Sequence, residues 1–291
     1  MANLTFMNNT IFDHGASNQL GQVLAMHSIR RPLLCTDKGL VNLGMVTDLV
    51  SHLGNDAALT IFDGTPENPT QMAVEEAVAA YQEAGCDGVV ALGGGSSMDL
   101  AKAVALAVTH EGDLLQYTAG LGGAGKIGTV APLIAIPTTS GTGSEVSSGA
   151  VIIMNNGEKL ILASRNLVPM TSICDPYLTL GLPPLLTAAT GMDAMTHCIE
   201  ALLSPQINPP AEAVACDGIE RGIREGNLVK AVKDGSDEDA RWHMMMSAAE
   251  GAMGFSKGLG SVHSMSHACG ADQSLRLHHG TLNAVILPTI L

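Results

Sequence analysis

Aromatic side chains make up only 3% of the 291 residues, so any core must be built from Ala, Val, Leu, Ile and Met. Positive charge is also scarce: 14 Lys and Arg stand against 28 Asp and Glu, a net of −14. Neutralising nucleic-acid phosphates takes clustered Lys and Arg, so no nucleic-acid partner is expected. An anionic membrane surface is disfavoured on the same ground. No apolar run reaches the roughly 18 residues needed to cross a bilayer, so no membrane partner is expected either. The six cysteines (Cys35, Cys86, Cys174, Cys198, Cys216 and Cys269) are scattered and never take CxxC spacing. That pattern points to reduced thiols and a cytoplasmic location. Met1 to Thr10 lacks a basic region followed by an apolar run, so no secretory signal is expected.

What is present is an apolar chain, 46% hydrophobic with 33 Gly and 15 Met, which excludes disorder. Its length suggests two domains. The first half alternates. Short buried-strand patterns at 32–36, 58–62, 87–92 and 133–136 each end in a polar or glycine turn. Helical periodicity fills 72–84 and 98–108. Strands separated by helices imply βαβ units and a parallel sheet. From Leu185 onward the segments are long, rich in Ala and Met and poor in β-branched runs. Helices are expected over 186–203, 211–225, 237–253 and 262–269. The change falls at Leu182-Pro183-Pro184, which sets the expected domains at 1–183 and 184–291.

Two loops in the first half suit a nucleotide. Gly93-Gly94-Gly95-Ser96-Ser97 joins a strand to a helix. Its glycines let a ligand approach the backbone, and the helix N-terminus presents free N–H groups to an anion. Pro137-Thr138-Thr139-Ser140-Gly141-Thr142-Gly143 follows the fourth strand and concentrates hydroxyls at a strand C-terminal end, where open α/β sheets bind ligands. Asp37, ending the first of those strands, could accept bonds from a ribose and repel a 2′-phosphate, which favours NAD over NADP. It could equally be an ordinary cap.

The second half offers metal ligands. Asp193 and His197 lie four apart, as do His263 and His267, so each pair shares a helix face. His278-His279 follows. Histidines in otherwise apolar segments are costly to bury without partners. A mixed oxygen and nitrogen donor set suits Fe2+ or Zn2+. Nucleotide loop and metal cluster together point to redox chemistry, in which the metal polarises an alcohol oxygen and nicotinamide exchanges a hydride.

Seven pieces occur in one order along nearly the whole chain: Thr36-Asp37-Lys38-Gly39, Pro66-Glu67-Asn68-Pro69-Thr70, Gly93 to Asp99, Pro137 to Glu145, Asp193-Ala194-Met195-Thr196-His197, His263-Ser264-Met265-Ser266-His267, and His279 to Ala284 closing with Leu287-Pro288. In these the chain resembles the iron-containing (group III) alcohol dehydrogenases. The resemblance implies a Rossmann-like α/β N-terminal domain and an all-α C-terminal domain, the dehydroquinate synthase-like architecture. It implies a homodimer, and a small alcohol or hydroxy acid exchanged with its aldehyde or ketone. It assigns the metal to Asp193, His197, His263 and His279, with His278 a rival for the last place. His267 becomes the polar or proton-relay group. Asp37, Asn68, Gly94, Gly95, Ser96, Thr138, Thr139, Thr142 and Lys159 fall at NAD-contact positions, and Phe255 lines the substrate pocket. Three departures stand out: a longer loop over 273–278, a shortened 255–260 stretch whose Lys257 is expected to reshape the pocket, and a second domain that ends early, at Leu291. The alternatives are a metal-free enzyme resembling maleylacetate reductases, a lyase resembling dehydroquinate synthases, and a non-catalytic nucleotide-binding fragment. A complete Asp/His set argues against the first. The shortage of cations in the helical half argues against the second.

Overall fold

The computed structural model describes residues 8–53, 58–270 and 277–291. The sequence readings at Met1 to Met7, and most of the 273–278 loop, lie outside these. By internal contacts the chain divides into two units: 8–138 with 148–175, and 139–147 with 176–291.

The first unit is the α/β part. Its strands are β1 (Asn9–Phe12), β2 (Pro32–Cys35), β3 (Thr60–Phe62), β4 (Gly88–Gly93), β5 (Leu133–Pro137), β6 (Gly149–Ile153), β7 (Lys159–Ala163) and β8 (Thr171–Cys174). Helices α1 (Leu20–Met26), α2 (Lys38–Asn42), α3 (Met45–Ser51), α4 (Gln71–Glu83) and α5 (Gly95–Ala107) alternate with them. Six strands form one parallel sheet in the order β1-β8-β5-β4-β2-β3, and β6 with β7 makes a separate antiparallel pair. β2, β4, β5 and β8 are buried along their whole length. Strands covered on both faces carry continuous apolar runs, which is why β2, β4 and β5 stand out in the sequence. The chain runs β2 to β3 toward one edge and then resumes at β4 on the other side of β2. The C-terminal ends of β2 and β4 therefore flank the switch point, the place where doubly wound sheets bind ligands. Asp37 and the Gly93–Ser97 turn follow those two strand ends.

The second unit is helical: α6 (Pro184–Leu203), α7 (Pro209–Ile219), α8 (Asn227–Lys233), α9 (Glu238–Gly254), α10 (Ser261–Gly270) and α11 (His279–Ile290). The helix expected over 211–225 is α7 continued by a π-helical segment, Glu220–Arg224, and closed by Gly226 at φ 75°. No helix of the described residues is long and apolar enough to cross a membrane. All six cysteines are free.

Small residues bring the helices of this unit close together. Ala194, Ala201, Ala215, Ala240 and Ala248 join Met195, Met244 and Cys198 in one buried cluster. In the same unit, Glu250 on α9 is buried opposite Arg221, whose Nε lies 3.5 Å from its Oε2. Burial, then the Asp217 carboxylate, pushes the Glu250 carboxyl up to about 9 against the pull of Arg221. Because the folded state keeps this proton long after the unfolded chain has lost it, stability falls as pH rises from about 4.5 toward about 9. Glu250→Gln should match the wild type at pH 6 to within about 0.5 kcal/mol. It should then lose less stability than the wild type toward pH 9. Thermal denaturation of the two proteins across that range checks this, and parallel pH slopes would refute it.

Candidate metal centre

The helical unit brings the chemistry-bearing residues of three helices together. Helix α6 carries Asp193 and His197 one turn apart, α10 carries His263, and α11 opens with His279. Asp193 Oδ1 lies 3.5 Å from His263 Nε2, 3.5 Å from His279 Nε2 and 3.9 Å from His197 Nε2. One ligand atom each from Asp193, His197 and His263 falls within 4.8 Å of the others, and all three residues are buried. A cation about 2.0–2.2 Å from each donor of a tetrahedral set requires donors roughly 3.4 Å apart. The distances from Asp193 are of that order, and the mutually close set is Asp193, His197 and His263, with His279 meeting Asp193 from outside it. Of the two neighbouring histidines, His279 has its Nε2 toward Asp193, and His278 is the residue that precedes α11.

Two of the three imidazoles, His263 and His279, are held by their other ring nitrogen. Glu200 Oε2 lies 2.6 Å from His263 Nδ1. Ser266 Oγ donates to the His263 carbonyl and lies 3.2 Å from His279 Nδ1, which can donate to it. In both rings Nε2 is then the atom left to meet a cation. Asn283 Nδ2 donates to Asp193 Oδ1 at 2.7 Å and lies 3.3 Å from the Nε2 atoms of His263 and His279. Its positive amide end thus sits where the donors converge, and its buried Oδ1 has no hydrogen-bond partner among the described residues.

The electrostatics favour the metal-binding forms of Asp193, His197 and His279. Burial opposes charge on Asp193, but His197, His263 and His279 outweigh it and hold the carboxyl well below its usual range. Burial lowers His197 to about 4, opposed by Asp193. Burial likewise lowers His279 to about 3. Burial would lower His263 too, but hydrogen bonds to Asp193 and Glu200 reverse the sign and raise it. For Glu200 the burial cost is overcome by His263 and by the backbone N–H groups at Gly260 and Val262, which bring it down to about 2. Asp193, His197 and His279 thus stand in the forms a divalent cation requires, while the two carboxylates draw His263 toward its charged form, whose proton a bound cation would displace.

Around this centre, the His267 ring lies 4.7 Å from that of His279, centroid to centroid. Phe255 lies 5.0 Å from His197, which stacks on His263 at 4.5 Å. Lys257 is buried, and its Nζ pairs with Glu212 Oε1 on α7 at 2.9 Å. Thr139 and Thr142 lie in the 139–147 segment, which packs into this same unit. A Cβ on Gly143 (φ 60°) would come 2.2 Å from that of Ala252, so this hydroxyl-rich loop is pressed onto α9.

The remaining expected residues lie in the α/β unit. Asp37 caps α2, accepting from the Leu40 N–H at 3.0 Å. Gly94 and Gly95 form the entry to α5, and Ser96 donates its hydroxyl to the Glu67 carbonyl. Gly93, at φ 149°, has room for no side chain: its Cβ would meet Ser97 Oγ at 2.4 Å. Thr138 donates its N–H to the Gly93 carbonyl at 3.0 Å. Lys159 Nζ donates to Asn68 Oδ1 at 3.0 Å, which places two separately expected residues in contact. Burial lowers the Lys159 pKa, with Asp99 pulling the other way.

Sequence reasoning missed Glu200 and left Asn283 without a role. The signal for Glu200 was its place seven residues after Asp193, on the same stripe of α6.

Comparison with known proteins decides the family. Residues 8–176 match the family described as iron-containing alcohol dehydrogenase, and residues 187–291 match the C-terminal part of the Fe-containing alcohol dehydrogenase family. The chain belongs to the iron-containing alcohol dehydrogenase family. It is an oxidoreductase of that type. A 4-hydroxybutyrate dehydrogenase of Cupriavidus necator is 51% identical over 295 residues, covering 100% of this chain and 76% of that protein. A 1,3-propanediol oxidoreductase structure aligns with a TM-score of 0.92 at 36% identity, over 100% of this chain and 75% of that one. A sulfoacetaldehyde reductase from Bifidobacterium kashiwanohense, solved in complex with NAD+, aligns with a TM-score of 0.90 at 26% identity, over 100% and 76%.

Proposed function

We propose that Asp193, His197, His263 and His279 bind one iron ion, at which a small primary alcohol or hydroxy acid is exchanged with its aldehyde or ketone. NAD(H) is the hydride carrier, as the NAD+ complex of a family relative supports. The observation that carries the reading is that three imidazole Nε2 atoms each lie 3.5–3.9 Å from the Asp193 carboxylate. The hydroxy-acid substrate class is supported by the 51% identical 4-hydroxybutyrate dehydrogenase. When bound, iron supplies Lewis acidity at the substrate oxygen, and NAD takes or gives the hydride.

The chain's own residues divide the remaining work. Asp193 would contribute the one negative charge among the ligands, and imidazoles neutral when they hold the ion would leave net positive charge for the substrate oxygen. His267, beside His279, is proposed to pass the alcohol proton outward on its imidazole. Phe255 packs on His197 and excludes water. For the cofactor, the α5 N-terminus with Gly94, Gly95 and Ser96 is the proposed pyrophosphate seat. Asp37 would accept from the ribose hydroxyls with the lone pairs its cap leaves free. Asn68, Lys159, Thr138, Thr139 and Thr142 are proposed as the other NAD contacts. We also propose functional domains at 1–183 and 184–291. A cytoplasmic location is supported by the six free cysteines, and a homodimer by the family resemblance.

The test is elemental analysis of the purified chain together with NADH absorbance on adding short aldehydes. One iron per chain is expected, with oxidation of NADH that stops on chelation and returns with Fe2+. Zinc in its place would revise the metal. Turnover unaffected by chelation would overturn the reading.

A further inference from the structure

We propose that Glu200 is a positioning residue that fixes the His263 ring for the cation, an inference that rests on the metal-centre reading above. Glu200 lies two turns beyond Asp193 on α6 and is buried, with 3% of its surface exposed. Its carboxylate accepts from the Val262 N–H at 2.6 Å and the His263 N–H at 3.4 Å in the first turn of α10, and its Oε2 lies 2.6 Å from His263 Nδ1. Gly260 makes room for it, since a Cβ there would stand 2.6 Å from Glu200 Oε1.

An ionised carboxylate only accepts, so its partner nitrogen on the ring must carry the hydrogen. That fixes Nδ1 as the donor and turns Nε2, 3.5 Å from Asp193, toward the ion. The same carboxylate also satisfies two free N–H groups at the positive end of α10. One side chain on α6 thus sets both where α10 begins and which nitrogen of its histidine is presented. A residue that only capped the helix would do the first and not the second.

Glu200→Gln keeps the shape and removes the charge. Its single carbonyl oxygen cannot serve both the backbone N–H groups and the ring. Zinc affinity, measured by competition with a chelator, should weaken 10- to 100-fold relative to the wild type. In the zinc-loaded protein, 15N NMR should show the wild-type His263 Nδ1–H downfield and slow to exchange, and shifted or lost in E200Q. As a control, Asn208→Ala removes the cap that Ala211 N–H uses at the start of α7. It should lower thermal stability and leave zinc affinity and the His263 signal alone. Equal zinc affinity in E200Q and wild type, with an unchanged ring signal, would overturn the inference and leave the metal centre standing. If E200Q does not fold, the wild type still decides: a zinc-loaded His263 without a hydrogen-bonded Nδ1–H rules the inference out. A wild type that takes up no metal overturns the metal-centre reading itself.

Discussion

His279→Ala should lose both its metal and its turnover, while His278→Ala should keep both. The two residues are adjacent in sequence and chemically identical, so the difference isolates geometry. His279 opens α11 with Nε2 3.5 Å from Asp193 Oδ1 and Nδ1 in reach of Ser266. Removing it leaves three donors and a gap in a largely buried site. A Lewis acid at a reacting oxygen is worth several kcal/mol, so kcat/KM should fall by about a thousandfold or more. Metal content should drop from one equivalent toward zero. His278 precedes α11, and its Nδ1 is buried without a hydrogen-bond partner among the described residues. Truncating it costs a little packing. Metal analysis and steady-state kinetics on both variants suffice, and the reverse pattern would move the fourth ligand to His278.

Why sequence alone left those two histidines as rivals is a question of helical phase. Asp193 with His197, and His263 with His267, can be read as pairs because four residues make about one helical turn. Which of 278 and 279 faces Asp193 depends on where α11 starts and how it lies on α6, a contact between segments some 90 residues apart. The fold divides in the same way. Strands β2, β4 and β5 are buried on both faces, so their Leu, Val and Ile runs advertise them. Strand β8, Thr171–Cys174, is equally buried yet carries two hydroxyl residues in four, and β1 is a short, partly exposed edge. Neither has a pattern that local reading can separate from loop. Glu200 stayed hidden for a related reason. A glutamate near a helix C-terminus resembles a solvated residue until α10 folds over it.

The close approach that sets the phase of α11 has its own expected result: Gly280→Ala should lower metal affinity at least tenfold without touching a ligand. A Cβ at Gly280 would stand 2.1 Å from the Ala189 carbonyl oxygen and 2.7 Å from its carbon, with Asp193 Cβ 3.4 Å away. The obstacle is the backbone of α6, which has no rotamer to change, so α11 must retreat. Overpacking of this kind costs about 1–3 kcal/mol. The retreat also carries His279 away from Asp193 and stretches the 2.7 Å bond from Asn283 to the same carboxylate. Affinity should therefore fall more than fold stability alone would dictate, and excess metal should recover part of the lost thermal stability by binding the native state. Gly181→Ala is the control, because nothing lies within 4 Å of a Cβ there. It should leave both quantities at wild-type values. Chelator competition and thermal melts with and without metal measure the two effects separately. A Gly280→Ala protein that melts lower yet binds metal as tightly as wild type would show that α11 can shift without carrying His279 with it, and the phase argument would fail.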